Sequence, residues 1–382
     1  MKALVLLFAA AVVPKTMDDP AYNQLPERVI YKSYAVYHPG REPKGYMEWL
    51  KKQEPEILEH PTGEQLFNSP TSFGPVFFSA ADVRDPSFYD KMGMPVAKDG
   101  TVPFATWVIR RKGEVELGSM GCNTCHTRVM PDGSILPGAQ GNNPGDREGA
   151  YMLRRADPEQ ARQRVRAFTA QFKMPPLSLE EMLALGDAIP AGVTARSGTS
   201  LAVPPQIPDL IGVRERHFLD HTGLFPHQNI RDMMRYITTV TDVSAGHKIR
   251  YSDEHLYALA QYLYSLKPPP NPNPPSAEGR KIFDREGCAR CHTPPLYTNN
   301  ERIRAAEIGT DARYTTESPK ATGYYKVPSL KGLWYRGPLE HNGRAASLEE
   351  WFDPERKAKG HNYGLKLTPE ERRRLIAYLR TL

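Results

Sequence analysis

All four cysteines of this 382-residue chain lie in two Cys-x-x-Cys-His pentads, and no other feature constrains its fold so strongly. Two cysteines three positions apart on one helical turn face the same side, and the next His can turn beneath a ring that they hold. This is the attachment signature of c-type haem, with two thioethers and a proximal His ligand. A disulfide pair, a zinc site and a thioredoxin-type motif are the alternative interpretations. The pentads predict two covalently bound haem c groups, held by Cys122, Cys125, His126, Cys288, Cys291 and His292.

The composition is that of an ordinary globular protein, with 40% hydrophobic and 25% charged residues. Its length allows two domains, and its 36 prolines predict many loops and few long helices. The net charge is +6, and its Lys and Arg residues are scattered rather than gathered into a basic run. This pattern argues against nucleic acid as a partner but suits an acidic redox protein that donates electrons.

The N-terminus resembles an export signal. Met1 and Lys2 precede an apolar run, residues 3–13, which is too short to span a bilayer. We therefore predict a signal peptide over residues 1–14 and a periplasmic or otherwise exported protein, with a buried N-terminal strand as the alternative. Export agrees with the pentads, because c-type haem is attached on the outer side of the bacterial cytoplasmic membrane. No other segment is apolar enough to predict a membrane span.

A proline-rich stretch over residues 267–276 marks the clearest domain boundary and is predicted to be a stiff linker. The remaining 277–382 has the size of one cytochrome c-type haem domain. Residues 105–266 are predicted to form a longer first haem domain. Residues 15–104, rich in proline and aromatics, are predicted to form an N-terminal extension that packs over one or both haem domains.

Each predicted haem domain ends in a similar helix. The segments Ser252–Leu266 and Thr368–Leu382 both begin with an N-cap residue and acidic side chains and end in Tyr-Leu-x-x-Leu. Thr368, Pro369 and Glu371 also form a capping-box sequence. This internal repeat predicts a mainly α fold of two tandem cytochrome c-type haem domains with long loops.

The chain resembles the bacterial diheme cytochrome c peroxidases and their relatives, the enzyme that matures tryptophan tryptophylquinone and the haem-containing rubber oxygenases. The resemblance covers roughly residues 105–382. It is strongest in three segments that resemble the C-terminal haem signature of the family: residues 287–295, Lys326–Gly332 and Arg336–Gly343.

The second haem departs from the peroxidase pattern, which places a Met ligand after the signature. No Met follows Met234, so a Met ligand from this domain is excluded. The chain is more similar here to the rubber oxygenases, which implies a bis-His centre. We expect His341 as the sixth ligand; His361, a Tyr or an open site are the alternatives.

The first haem also departs from the family. The peroxidases carry a displaceable distal His shortly after the first pentad, whereas residues 127–199 contain none here. The segment that holds His221 and His227 lies where the family has a stretch bordering the first haem. Either His is a candidate sixth ligand or distal acid/base group, and loop hydrogen bonds are the alternative role.

Three functions follow from these expectations. The first is a peroxidase-like oxidoreductase that activates peroxide or dioxygen at the first haem, with the second haem as electron relay. The second is a diheme electron-transfer cytochrome without catalytic activity. The third is a rubber-oxygenase-like dioxygenase acting on an apolar substrate.

Overall fold

The structure, a computed structural model, describes residues 20–75, 77–171, 175–194, 204–243, 249–318 and 320–382. The predicted signal peptide lies outside these residues. Across the described ranges, no helix combines the length and the apolar character needed to cross a bilayer.

The predicted mainly α architecture is confirmed, and most helices are short. The α-helices in chain order are α1 Pro20–Asn23, α2 Tyr46–Lys51, α3 Gly63–Asn68, α4 Ala80–Val83, α5 Pro86–Met92, α6 Cys122–His126, α7 Gly145–Arg155, α8 Pro158–Gln171, α9 Leu179–Ala188, α10 Ile230–Thr238, α11 Asp253–Ser265, α12 Ala277–Arg285, α13 Ala305–Ile308, α14 Arg313–Thr316, α15 Leu348–Trp351 and α16 Pro369–Leu379. Two 3₁₀ turns, Val213–Glu215 and Cys288–Arg290, and a π-helical turn, Thr239–Val243, complete the helical elements of the described residues.

The strands form small antiparallel sheets. They are β1 Ser33–Tyr34, β2 Ser72–Phe73, β3 Thr106–Arg111, β4 Glu114–Ser119, β5 Thr127–Val129, β6 Ile135–Pro137, β7 Arg302–Arg304 and β8 Tyr324–Lys326. A four-stranded sheet has the order β1-β3-β4-β2, with Trp107 of β3 paired to Leu117 of β4. The sequence did not indicate this sheet, which joins the N-terminal extension to the strands before the first pentad.

In the predicted second haem domain, α12 crosses α16. Gly279 lies at the crossing, because a Cβ there would stand 2.1 Å from the Arg374 carbonyl oxygen and 2.5 Å from Tyr378 Cβ. One turn later, the buried Phe283 packs against Tyr378 with ring centroids 5.4 Å apart. The predicted capping box is confirmed, since Thr368 accepts a hydrogen bond from the Glu371 amide. Only glycine allows the two helices to approach this closely.

The first haem domain contains the same crossing, built by α3 and α11. A Cβ on Gly63 would stand 2.2 Å from the Ala258 carbonyl oxygen and 2.5 Å from Tyr262 Cβ. The buried Phe67 packs against Tyr262, again with ring centroids 5.4 Å apart. Helix α3 lies in the segment that the sequence assigned to the extension. Its packing instead matches that of α12, the first helix of the second haem domain.

The predicted extension and the predicted linker both pack against the segments that the sequence assigns to haem domains. Ile30 is buried in the same core as Met233, Leu256 and other residues of the first domain. The Arg28 amide also donates to the Arg250 carbonyl at 2.6 Å. In the linker, Asn271 Nδ2 donates to the Arg380 carbonyl at 2.8 Å, at the C-cap of α16. Both segments therefore help to fix the positions of the haem-domain helices.

Candidate haem sites

The first pentad forms helix α6, and hydrogen bonds fix it from several sides. Asn123 Nδ2 donates to the Pro103 carbonyl at 3.0 Å, and Thr124 Oγ1 donates to the Phe104 carbonyl at 2.9 Å. His126 Nδ1 donates to the Pro208 carbonyl at 3.0 Å. With Nδ1 held in this way, Nε2 is the nitrogen that would bind an iron.

The second pentad begins with the 3₁₀ turn Cys288–Arg290. Its His, like His126, donates a hydrogen bond from Nδ1 to the backbone. His292 Nδ1 donates to the carbonyls of Tyr297 and Pro328, at 3.2 and 3.1 Å. Pro208 and Pro328 occupy the same place in two Pro-x-Leu-x-Gly segments, at 208–212 and 328–332. The two pentads are therefore oriented by one repeated motif, which supports the same ligand role for both His residues.

A cavity of about 260 Å³ adjoins the second pentad, and both Cys288 and Cys291 line it together with His292. Across it, the ring of His361 faces the ring of His292 with centroids 6.1 Å apart and 53° between the planes. A metal–nitrogen distance of about 2.0–2.1 Å places an imidazole centre roughly 3 Å from the metal, so two such rings on one metal have centres about 6 Å apart. The separation fits one iron between the two rings.

The electrostatics of the pair also suit metal binding, which requires neutral imidazole. Burial lowers the pKa of His292 to about 4. Burial and the neighbouring His292 lower the pKa of His361 to about 4. His361 also has a φ of +46°, a conformation that non-glycine residues rarely adopt. Its amide donates to the Ile308 carbonyl at 2.8 Å and its carbonyl accepts from Arg356 Nη2 at 3.0 Å, which together hold the strained backbone.

His341, the ligand expected from the sequence, lines the same cavity but packs differently. Its ring stacks on Tyr325 with centroids 4.2 Å apart and 29° between the planes. Its Nε2 is buried without a hydrogen-bond partner, and burial lowers its pKa to about 3. No imidazole ring of the described residues is set against His292 as closely as that of His361. The geometry therefore favours His361, the alternative, over His341 as the partner of His292.

The two histidines expected at the first haem are both engaged elsewhere. His221 lines the cavity of the second pentad, and its Nε2 donates to the Gln206 carbonyl at 2.8 Å. His227 donates from Nδ1 to the Arg216 carbonyl at 2.7 Å and accepts at Nε2 from Tyr264 Oη at 2.5 Å. Both ring nitrogens of His227 are thus used in structural hydrogen bonds, which does not favour its predicted role as acid/base group or ligand.

His221 and His341 occupy equivalent places in the two domains. Each is the central residue of a Leu-x-His-x-Gly turn, at 219–223 and at 339–343. The first turn is closed by the Leu219 amide and the Phe225 carbonyl, the second by the Leu339 amide and the Ala345 carbonyl. Gln206 joins the turns, since its amide donates to the His341 carbonyl at 2.8 Å. The Leu-x-His-x-Gly repeat is visible in the sequence. It would have identified His221 and His341 as equivalent residues of the two domains.

Comparison with known proteins agrees with this geometry. The cytochrome c family profile matches residues 276–382. The cytochrome-c peroxidase IdrP1 of Pseudomonas sp. is 34% identical over 146 residues, covering 27% of this chain and 38% of that protein. The methylamine utilization protein MauG of Methylorubrum extorquens is 31% identical over 110 residues, covering 26% and 31%. The cytochrome c551 peroxidase of Nitrosomonas europaea is 26% identical over 121 residues, covering 29% and 34%.

The matched regions span about a third of the length of each of these relatives. The cytochrome c profile and the relatives agree with the pentad geometry and with the resemblance seen in the sequence. Residues 276–382 match the cytochrome c family, and parts of the chain are similar to members of the diheme cytochrome c peroxidase superfamily.

Proposed function

We propose that this protein is an exported peroxidase-like oxidoreductase that carries a haem c at each pentad. In this proposal a haem at the first pentad would supply the site for peroxide or dioxygen, and a haem at the second pentad would relay electrons from a small redox donor. The observation that carries the division of roles is the 6.1 Å separation of the His292 and His361 rings. If His292 and His361 both held the second haem, that haem would have no open position for a substrate, and the reactive role would fall to the first haem.

The bound haem supplies the iron that binds peroxide or dioxygen and exchanges electrons, which no side chain of the chain can do. His126, held by the Pro208 carbonyl, fixes the proximal side of the first haem. His292 and His361, each held by backbone hydrogen bonds, would keep the second haem six-coordinate and its reduction potential below that of a His/Met centre. The names of two relatives, both called cytochrome c peroxidases, support peroxide as the substrate.

The test is an intact mass measurement followed by optical and EPR spectra with and without CO. Two haems should add to the mass of the exported polypeptide, and CO should bind to one reduced haem only. Peroxide should then oxidise that haem, and a reduced dye or cytochrome should be consumed. One haem per chain would contradict the proposal. Two low-spin haems that both fail to bind CO would leave the electron carrier as the function.

A further inference from the structure

The cavity of the second pentad contains three cationic side chains. Arg216 comes from the first haem domain, whereas Lys326 and Arg336 come from the second, and all three line the cavity. Each is anchored to the backbone: Arg216 Nη2 to the Ile211 carbonyl at 2.8 Å, Lys326 Nζ to the Phe218 carbonyl at 3.0 Å, and Arg336 Nη2 to the Ser329 carbonyl at 2.8 Å. The cations are therefore held in place rather than free to turn towards solvent.

These cations repel one another. Burial and Arg216 lower the pKa of Lys326 to about 7. Burial lowers the pKa of Arg216 as well, and Arg336 adds to the decrease. Clustered like charges in a buried site cost free energy unless an anion compensates them. The arrangement thus indicates that an anionic group belongs in this cavity.

The carboxylate among these cations is Asp209, whose Oδ2 accepts from Tyr335 Oη at 2.9 Å. Arg336 Nε lies 3.9 Å from Asp209 Oδ2 and is buried without a hydrogen-bond partner. Among the residues that line the cavity, these three cations outnumber the Asp209 carboxylate, and Asp220, which is not part of the lining, also acts on Lys326. Glu340 also lines the cavity, but Arg344 and Arg356 face that carboxyl group. The excess of cations in the lining and the unpartnered Arg336 Nε suit an anionic group in this part of the cavity.

We propose that Arg216, Lys326 and Arg336 bind the two propionates of the second haem, so that the first domain completes the haem site of the second. This inference rests on the proposed function, because it requires a haem at the second pentad. Arg–carboxylate and Lys–carboxylate contacts in a buried site are strong charge-assisted hydrogen bonds. Through Arg216, the packing of the two domains then sets the charge around the second haem.

The positive charge of these side chains should affect the reduction potential of the second haem, which can be measured. A fixed positive charge close to a haem destabilises its ferric form, which carries one more positive charge than the ferrous form. Removal of one cation of the site should therefore lower the midpoint potential of the second haem. The first haem, whose pentad lies in a separate core, should change less.

The test uses the exported holoprotein and spectroelectrochemical titration of its low-spin haem. Lys326→Met removes the charge but keeps the length of the side chain, whereas Lys326→Arg keeps the charge. Lys331→Met is the matched control, because Lys331 is an exposed residue of the same segment that pairs with Glu215. We expect a lower midpoint potential in Lys326→Met, and an unchanged one in Lys326→Arg and Lys331→Met.

A second pair of variants tests the contribution from the first domain. Arg216→Met should also lower the midpoint potential of the second haem, whereas Arg214→Met, in the neighbouring exposed position, should not. Lys326→Met and Arg216→Met proteins that carry two haems and retain the wild-type potential would overturn the inference. Loss of the second haem in Lys326→Met but not in Lys326→Arg would support it, and loss in both would contradict it. The haem count and CO binding of the wild-type protein test the proposed function separately.

Discussion

The ring of His341 lies on the ring of Tyr325, with centroids 4.2 Å apart and planes 29° from parallel. Stacking of this kind fixes an imidazole by its face and leaves its nitrogens at the edge. His341 is thereby held at the contact between the two domains, where burial and, after it, the neighbouring His221 lower its pKa. His361 instead stands opposite His292 across the cavity.

The first prediction separates these two histidines. His361→Ala should convert the second haem from low-spin to high-spin, because the iron loses its sixth ligand. His341→Ala should leave that haem low-spin. EPR and optical spectra of the two purified holoproteins check both outcomes. A high-spin second haem in His341→Ala, with His361→Ala unchanged, would restore the original sequence-based assignment.

A second prediction concerns the helix crossing that closes the second haem domain. Gly279→Ala places a methyl group against the Arg374 carbonyl and Tyr378, so the free energy of unfolding should fall by about 1–3 kcal/mol. Gly149→Ala is the control, since the nearest atom to its added Cβ is 3.9 Å away on Phe77. That change, within α7, should raise the free energy of unfolding by roughly 0.5–1 kcal/mol. Denaturant unfolding of the holoproteins measures both, and equal stability of the two variants would refute the close-packing argument.

Local chemistry accounts for what the sequence predicted well. The capping box at Thr368 and the N-cap at Ser252 depend on residues three positions apart, and both are present. Each pentad likewise consists of five consecutive residues, so the sequence alone reveals it. The mainly α fold followed because the two closing helices repeat the same pattern of caps and terminal residues.

The features that the sequence did not predict are contacts between residues distant in the chain. His126 is held by Pro208, 82 positions away, and no periodicity indicates such a contact. His361 and His341 are both downstream of His292, and their spacing does not show which loop returns to the cavity. Helix α3 is separated from its pentad by the segment that contributes most of the four-stranded sheet. Strands β1 and β2 are two residues long, too short to show an alternating pattern.

The third prediction follows from a fully buried carboxyl group in α7. Burial raises the pKa of Glu148 to about 8 from an ordinary value near 4.5, and Asp146 adds to the increase. The folded protein therefore binds a proton here that the unfolded chain releases above about pH 4.5. The resulting stability is present below that pH and is lost as the pH rises through about 8.

Replacement of Glu148 by Gln should remove this dependence on pH. The variant should be close to wild type in melting temperature at pH 5 and more stable than wild type at pH 8.5. Glu180→Gln, an exposed change in the first turn of α9, should follow the wild-type profile. Thermal unfolding of the three holoproteins at both pH values provides the comparison. Parallel profiles for wild type and Glu148→Gln would mean that Glu148 is ionised in the folded protein.

The last prediction tests whether His227 has a structural or a catalytic role. Its two ring nitrogens are bonded to the Arg216 carbonyl and to Tyr264 Oη in a buried site, so His227→Gln should lower the free energy of unfolding by about 1–3 kcal/mol. His217→Gln, an exposed change in the same loop, should have little effect. Because both ring nitrogens bond to groups within the protein fold, CO binding and the rate of peroxide turnover per haem should match wild type in both variants. A His227→Gln protein that is as stable as wild type but turns over peroxide at least tenfold more slowly would instead assign His227 to the chemistry of the first haem.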